Sequence, residues 1–78
     1  MAKRIDVKGQ IIESGNEWVY DWLGLESTSP KKIIKALQAA GGEDVEIYIN
    51  SPGGSIFAGS EIYTELRNYS GKKIIKIT

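Results

Sequence analysis

Apolar and polar positions change period several times along this chain. From Val45 to Asn50 they alternate strictly, with Val45, Ile47 and Ile49 on one side and Glu46, Tyr48 and Asn50 on the other. Period two with β-branched residues predicts a strand. Upstream, Ile33, Ile34, Leu37 and Ala40 recur at helical spacing. Ser29 is a good N-cap for that helix, Pro30 suits its first position, and Gly41–Gly42 ends it. Downstream, Ala58, Ile62, Leu66 and Tyr69 share one face of a second helix, whose end is signalled from Asn68 to Gly71. KKIIKIT then reads as another strand. Near the start, Ile5 and Val7 with Ile11 and Ile12 predict a short strand or hairpin broken at Gly9. In SGNEWVYDWLGLESTS, the alternation of Trp18, Tyr20 and Trp22 fits a strand bounded by turns at Gly15–Asn16 and Gly24. Those aromatics are expected to fill the core, with a subunit contact as the second reading.

Strands separated by helices imply βαβ units, a mostly parallel sheet and right-handed crossovers. The predicted class is therefore α/β, with residues 1–78 forming part of a single domain. Parallel strands call for cover on both faces. Nothing after the last strand supplies it, so the fold is expected to be incomplete at its C-terminus. No internal repeat or low-complexity stretch interrupts the pattern.

Composition narrows the chemistry. Of 78 residues, 41% are hydrophobic and 26% charged, which is ordinary for a folded domain and unlike disorder. A chain this short buries only about 60–65% of its unfolded surface, so a thin stability margin is expected. Ten basic and ten acidic residues cancel, leaving no electrostatic footprint for nucleic acid. Lys31, Lys32 and Lys35, and likewise Lys72, Lys73 and Lys76, are expected to be solvated faces. The absence of cysteine excludes disulfides and a thiolate nucleophile, and there is no histidine. No apolar run has membrane-spanning length and MAKRIDVKGQ has no signal-peptide core, so a cytoplasmic protein without membrane contact is expected.

The stretch NSPGGSIFAG, residues 50–59, carries the candidate chemistry. It joins a strand end to a helix start, where ligands gather in parallel sheets. Gly53 and Gly54 permit positive φ and close backbone approach, and Pro52 removes a competing N–H. Bare amides at such a corner suit an anion or a developing oxyanion. A phosphate loop would need a lysine after the glycines, and a dinucleotide fingerprint needs G-x-G-x-x-G; neither pattern is present. An oxyanion hole or substrate clamp remains, beside the plainer reading of a tight turn with no chemistry. No acidic or histidine cluster has metal-ligand spacing, and neither metal nor cofactor is expected.

INSPGGSIFAGSEIYTELRNY resembles the signature of the caseinolytic protease (ClpP) family, in particular its phage prohead or head-maturation branch. The likeness rests on Ile49–Asn50, Ser51-Pro52-Gly53-Gly54, Ala58-Gly59 and Ile62-Tyr63. Phe57, the end of the second helix and the tryptophan-rich segment before Ser29-Pro30 suggest the phage branch. It covers roughly residues 5–78 and is sharpest over 45–69. Signal peptide peptidase A has a similar corner, and the wider crotonase superfamily shares the architecture; a crotonase-type acyl-CoA enzyme ranks low because no adenine-binding feature is visible. The resemblance implies that Gly54 offers its backbone N–H to the oxyanion, and that Gly53, Gly54, Ser55 and Ile56 bind an extended polypeptide as an added strand.

The family's serine nucleophile lies in a Gly-x-Ala-Ala-Ser stretch one strand further on, and its histidine and aspartate further still. None of these is present here, and Ser51, Ser55 and Ser60 lack a nucleophile elbow. A Ser–Lys dyad with Lys72, Lys73 or Lys76 is disfavoured, because an exposed charged lysine is a poor base. The expectation is thus the N-terminal portion of a Clp-like serine endopeptidase, inactive alone, whose parent cleaves capsid or scaffold proteins. By analogy it forms a ring-like homo-oligomer; whether an unfolding ATPase is a partner is not written in these residues. The alternative is a non-catalytic peptide-binding or self-assembly module.

Overall fold

The computed structural model describes residues 2–77. Strand β1 (Lys3–Lys8) is followed by β2 (Gln10–Ile11), helix α1 (Glu17–Trp22), β3 (Ser27–Thr28), helix α2 (Pro30–Ala40), β4 (Val45–Asn50), helix α3 (Ile56–Asn68) and β5 (Lys73–Ile77). The architecture is mixed α/β, and every strand pairing is parallel. One sheet has the order β1-β4-β5, and β2 and β3 form a second, two-stranded sheet.

β4 is central because it carries apolar residues where its neighbours do. Ile47 sits in register with Ile5 on one side and Ile75 on the other. Val45 and Ile47 are fully buried beneath α2 and α3, with Ile33, Leu37 and Ala40 from one helix and Ile62 and Leu66 from the other. Each buried aliphatic side chain of this kind contributes about 1.5–3 kcal/mol. α2 begins where the sequence predicts: the Ser29 hydroxyl accepts from the Lys32 amide at 3.3 Å, Pro30 follows, and the helix ends at Gly41.

The opposite face of the sheet is polar. Arg4 stacks on the Tyr48 ring at 3.9 Å, the Tyr48 hydroxyl donates to Glu46 at 3.1 Å, and Lys76 donates to the Tyr48 oxygen at 3.2 Å. The Tyr48 oxygen, with Glu46 behind it, holds the Lys76 ammonium above its usual pKa. The alternation that predicted β4 thus makes a parallel sheet with one apolar and one charged face. On the apolar side the edge strand stays uncovered, with Ile75 54% exposed against 0% for Ile47.

Three expectations are corrected. Residues 17–22 form a helix, although alternating aromatics suggested a strand. The Asn16–Glu17 start and the turn at Leu23–Gly24 outweigh that alternation, and the Glu17 side chain anchors the first turn through Gly15 N and Ser29 Oγ. Trp18 and Trp22 consequently point outwards, 70% and 81% exposed, and do not fill the core. For residues 5–12 the strand reading with its break at Gly9 holds and the hairpin alternative does not: β1 and β2 run on in one direction and pair parallel in different sheets. Nor are the lysine clusters wholly solvated. Lys32 is half-buried, donating to the Ser27 carbonyl and hydroxyl, and Lys73 is half-buried, donating to the Tyr69 and Arg67 carbonyls at the end of α3.

Candidate active site

The corner between β4 and α3 is built on hydrogen bonds from β2. The Ile11 amide donates to the Gly53 carbonyl at 2.9 Å, and the Ser55 amide donates to the Ile11 carbonyl at 2.9 Å. Gly54 therefore forms a parallel bridge with Ile11 and extends the small β2–β3 sheet by one residue. In a parallel ladder the residue between two such bonds turns its own polar groups the other way.

Peptide planarity makes the direction explicit. Carbonyl and following N–H are antiparallel across a trans peptide, and among the described residues no peptide bond is cis. With the Gly53 carbonyl aimed at Ile11, the Gly54 N–H points away from β2. With the Ser55 N–H also aimed at Ile11, the Gly54 carbonyl points away as well. Among the described residues no acceptor engages the Gly54 N–H. One exposed residue thus presents a free donor and acceptor on an open sheet edge.

Only glycine fits there. Gly54 has φ +148, and a Cβ would lie 2.8 Å from the Ile11 amide nitrogen and closer still to its carbonyl oxygen. Gly53 has φ +115, but a Cβ there would meet no heavy atom within 4 Å, so its requirement is conformational alone.

Of the residues singled out from the sequence, Gly53 and Gly54 come together at this edge, whereas Ser55 is committed to the scaffold. The Ser55 amide is taken by Ile11, its carbonyl accepts from the Gly59 amide at 3.0 Å, and its hydroxyl accepts from the Ala58 amide at 3.2 Å as the N-cap of α3. Ile56 opens the helix and leaves 85% of its surface exposed beside the corner, with Phe57 78% exposed next to it. Ser60 spends its carbonyl on the Thr64 hydroxyl within α3.

The sequence did not single out two supports of this site. Ile11 supplies both backbone bonds that orient Gly54, and nothing local to Ile11 announces a partner some forty residues away. Thr28 locks the other side of the same sheet: its hydroxyl donates to the Lys8 carbonyl at 2.8 Å and accepts from the Lys8 amide at 3.0 Å. Among the described residues no three His, Cys, Asp or Glu side chains gather as metal ligands, and no helix is long and apolar enough to cross a membrane. What the arrangement offers is backbone: an amide able to receive a carbonyl oxygen as it gains charge, on an edge able to accept an extended chain.

No curated protein matches this chain. The family model described as Clp protease matches residues 4–77.

Proposed function

The chain belongs to the Clp protease family, and we propose that it supplies the oxyanion amide and the substrate-binding edge of a serine endopeptidase. The observation that carries this reading is the outward-facing N–H of Gly54, fixed by the two bonds of Ile11. An extended polypeptide pairs through its main chain with the free N–H and carbonyl of Gly54, whose direction Gly53 sets, and Ile56 lies beside it, so that binding makes little demand on side chains. The scissile carbonyl then sits against the Gly54 N–H, which stabilises the oxyanion of the tetrahedral intermediate. Loss of one such donor costs about 10²–10³ in rate in a well-studied protease.

The serine nucleophile and histidine base are not supplied by these 78 residues, which contain no histidine and no serine in a nucleophile elbow. By itself this chain binds peptide and does not cut it. The substrate class is polypeptide, in the phage head-maturation sense of capsid or scaffold proteins, a reading supported by Phe57, the Leu66–Tyr69 segment and the tryptophan-rich stretch. The assembled enzyme is a cytoplasmic homo-oligomer. The test is paired. In an NMR titration with the capped hexapeptide acetyl-AVALAK-amide, the Gly54 amide resonance moves, and in a fluorescent casein assay the purified chain stays at background. Casein hydrolysis by this chain would refute the division of labour, and a Gly54 resonance indifferent to peptide would refute the site.

A second reading is a peptide-binding or self-assembly module without chemistry. It is favoured by the exposed Trp18 and Trp22 on α1 and by the uncovered Ile75 and Ile77 on the open edge of β5, both surfaces suited to a partner.

A further inference from the structure

The Ser51 hydroxyl bridges two backbone segments that are 42 residues apart in sequence. It donates to the Gly9 carbonyl at 2.5 Å and accepts from the Gly53 amide at 3.1 Å. The Gly53 carbonyl lies 3.5 Å from the same oxygen, a distance too long to compete for the single hydroxyl proton. Gly9 is the break between β1 and β2, and Gly53 precedes the bridge with Ile11. One side chain therefore ties the start of β2 to the corner that pairs with it.

The effect passes through consecutive peptide planes. The Ser51 oxygen fixes the Gly53 N–H, and so the plane of the Pro52–Gly53 peptide. The Ile11 amide fixes the Gly53 carbonyl, and so the plane carrying the Gly54 N–H. Glycine has the widest conformational choice of any residue type, and these two bonds hold both sides of Gly53.

We propose that Ser51 is a positioning residue, the group that aims the Gly54 N–H by locking Gly53 and the β1–β2 break into one unit. This rests on the reading of Gly54 as the amide that receives the substrate carbonyl. Ser51 touches no substrate; it acts through Gly53. Without its hydroxyl the Gly9 carbonyl and Gly53 N–H lose their partner, Gly53 samples other orientations, and the edge is correctly formed for only part of the time. Apparent affinity falls in proportion to that fraction.

The test is the same hexapeptide titration, read at the Gly54 amide, on the wild-type chain and on Ser51→Ala and Ser51→Thr. Of the two bonds lost, the one from the Gly53 amide orients the edge, and its net worth predicts peptide binding about three- to tenfold weaker in Ser51→Ala, with resonances of the α2–α3 core unchanged. Ser51→Thr, which keeps the hydroxyl, restores affinity. In the free protein, Ser51→Ala also speeds hydrogen exchange at the Gly53 and Ile11 amides, a local readout that a general loss of stability would spread over the whole sheet. Should Ser51→Ala fail to fold, Ser51→Cys, a weaker donor of nearly the same shape, reads the same contrast. Wild-type affinity in Ser51→Ala, with the Gly54 resonance still responding to peptide, overturns the role of Ser51 and leaves the site reading standing. No response of Gly54 to peptide in the wild-type chain overturns the site reading and the inference built upon it.

Discussion

The Ile11 amide donates to the Gly53 carbonyl at 2.9 Å, and this bond decides where the neighbouring Gly54 N–H points. A backbone donor cannot be removed by truncating a side chain. Its direction can be altered, however, by anything that moves Ile11 or Gly53. Groups that form the edge and groups that hold it should therefore respond differently to substitution.

Gly54→Ala separates from Gly53→Ala. Both positions have positive φ, and backbone strain alone costs about 1–3 kcal/mol. At Gly53 the added methyl meets nothing, so the fold should survive with a lower urea midpoint and detectable peptide binding. At Gly54 the methyl collides with the Ile11 backbone, so the bridge must open and peptide binding should be lost. Equal peptide affinities for the two variants would contradict the geometry of the edge.

The cap of α2 is linked to pH through Glu17. The Ser29 hydroxyl donates to Glu17 at 2.7 Å; that bond, then the backbone amides of Glu17 and Gly15, and Lys31 hold its carboxyl below the usual 4.5. A lowered folded-state pKa stabilises the fold above 4.5 and loses that contribution as pH falls through the folded value. Ser29→Ala should cost about 1 kcal/mol through the lost cap at neutral pH. It should also flatten the acid limb of a plot of urea midpoint against pH. An acid limb as steep as wild type would show that Glu17 is not held by Ser29.

Ile47→Ala should remove a large part of the folding stability. The side chain is fully buried in the central strand, and large-to-small changes at such sites cost about 2–5 kcal/mol, against a total of about 5–15 kcal/mol for a whole domain. Ile47→Val, costing about 0.5–1.5 kcal/mol, should keep a cooperative thermal transition at lower temperature. A near-wild-type melt for Ile47→Ala would mean that the core lies elsewhere.

Trp18 and Trp22 should behave as solvent-facing fluorophores. In dilute solution their emission is expected to be red-shifted and readily quenched by iodide, with little change on adding urea. Quenching that falls as protein concentration rises would place α1 in a contact between copies, whereas strong protection at every concentration would contradict the exposed helix.

Much of this arrangement was legible in the chain. The periods of residues 33–40, 45–50 and 58–66, the Ser29–Pro30 start and the glycines of the corner identify α2, β4 and α3, because each signal is local: spacing sets which face is buried, and a cap needs only its own helix turn. The sequence likewise pointed to Gly53 and Gly54 as backbone suited to an oxyanion. Other features depended on distant partners. Whether Trp18, Tyr20 and Trp22 lie on a strand or a helix rests on what anchors that segment, and Glu17 reaches Ser29 only in the folded chain. The pairing of Ile11 with the corner, the bridge of Ser51 to Gly9 and the capture of the Ser55 amide by the Ile11 carbonyl are decided by tertiary structure alone. The physical reason is that a hydrogen bond between residues some forty positions apart leaves no periodic trace in sequence. The chain specified which residues could expose bare backbone; packing of β2 against the corner determined which way that backbone faces.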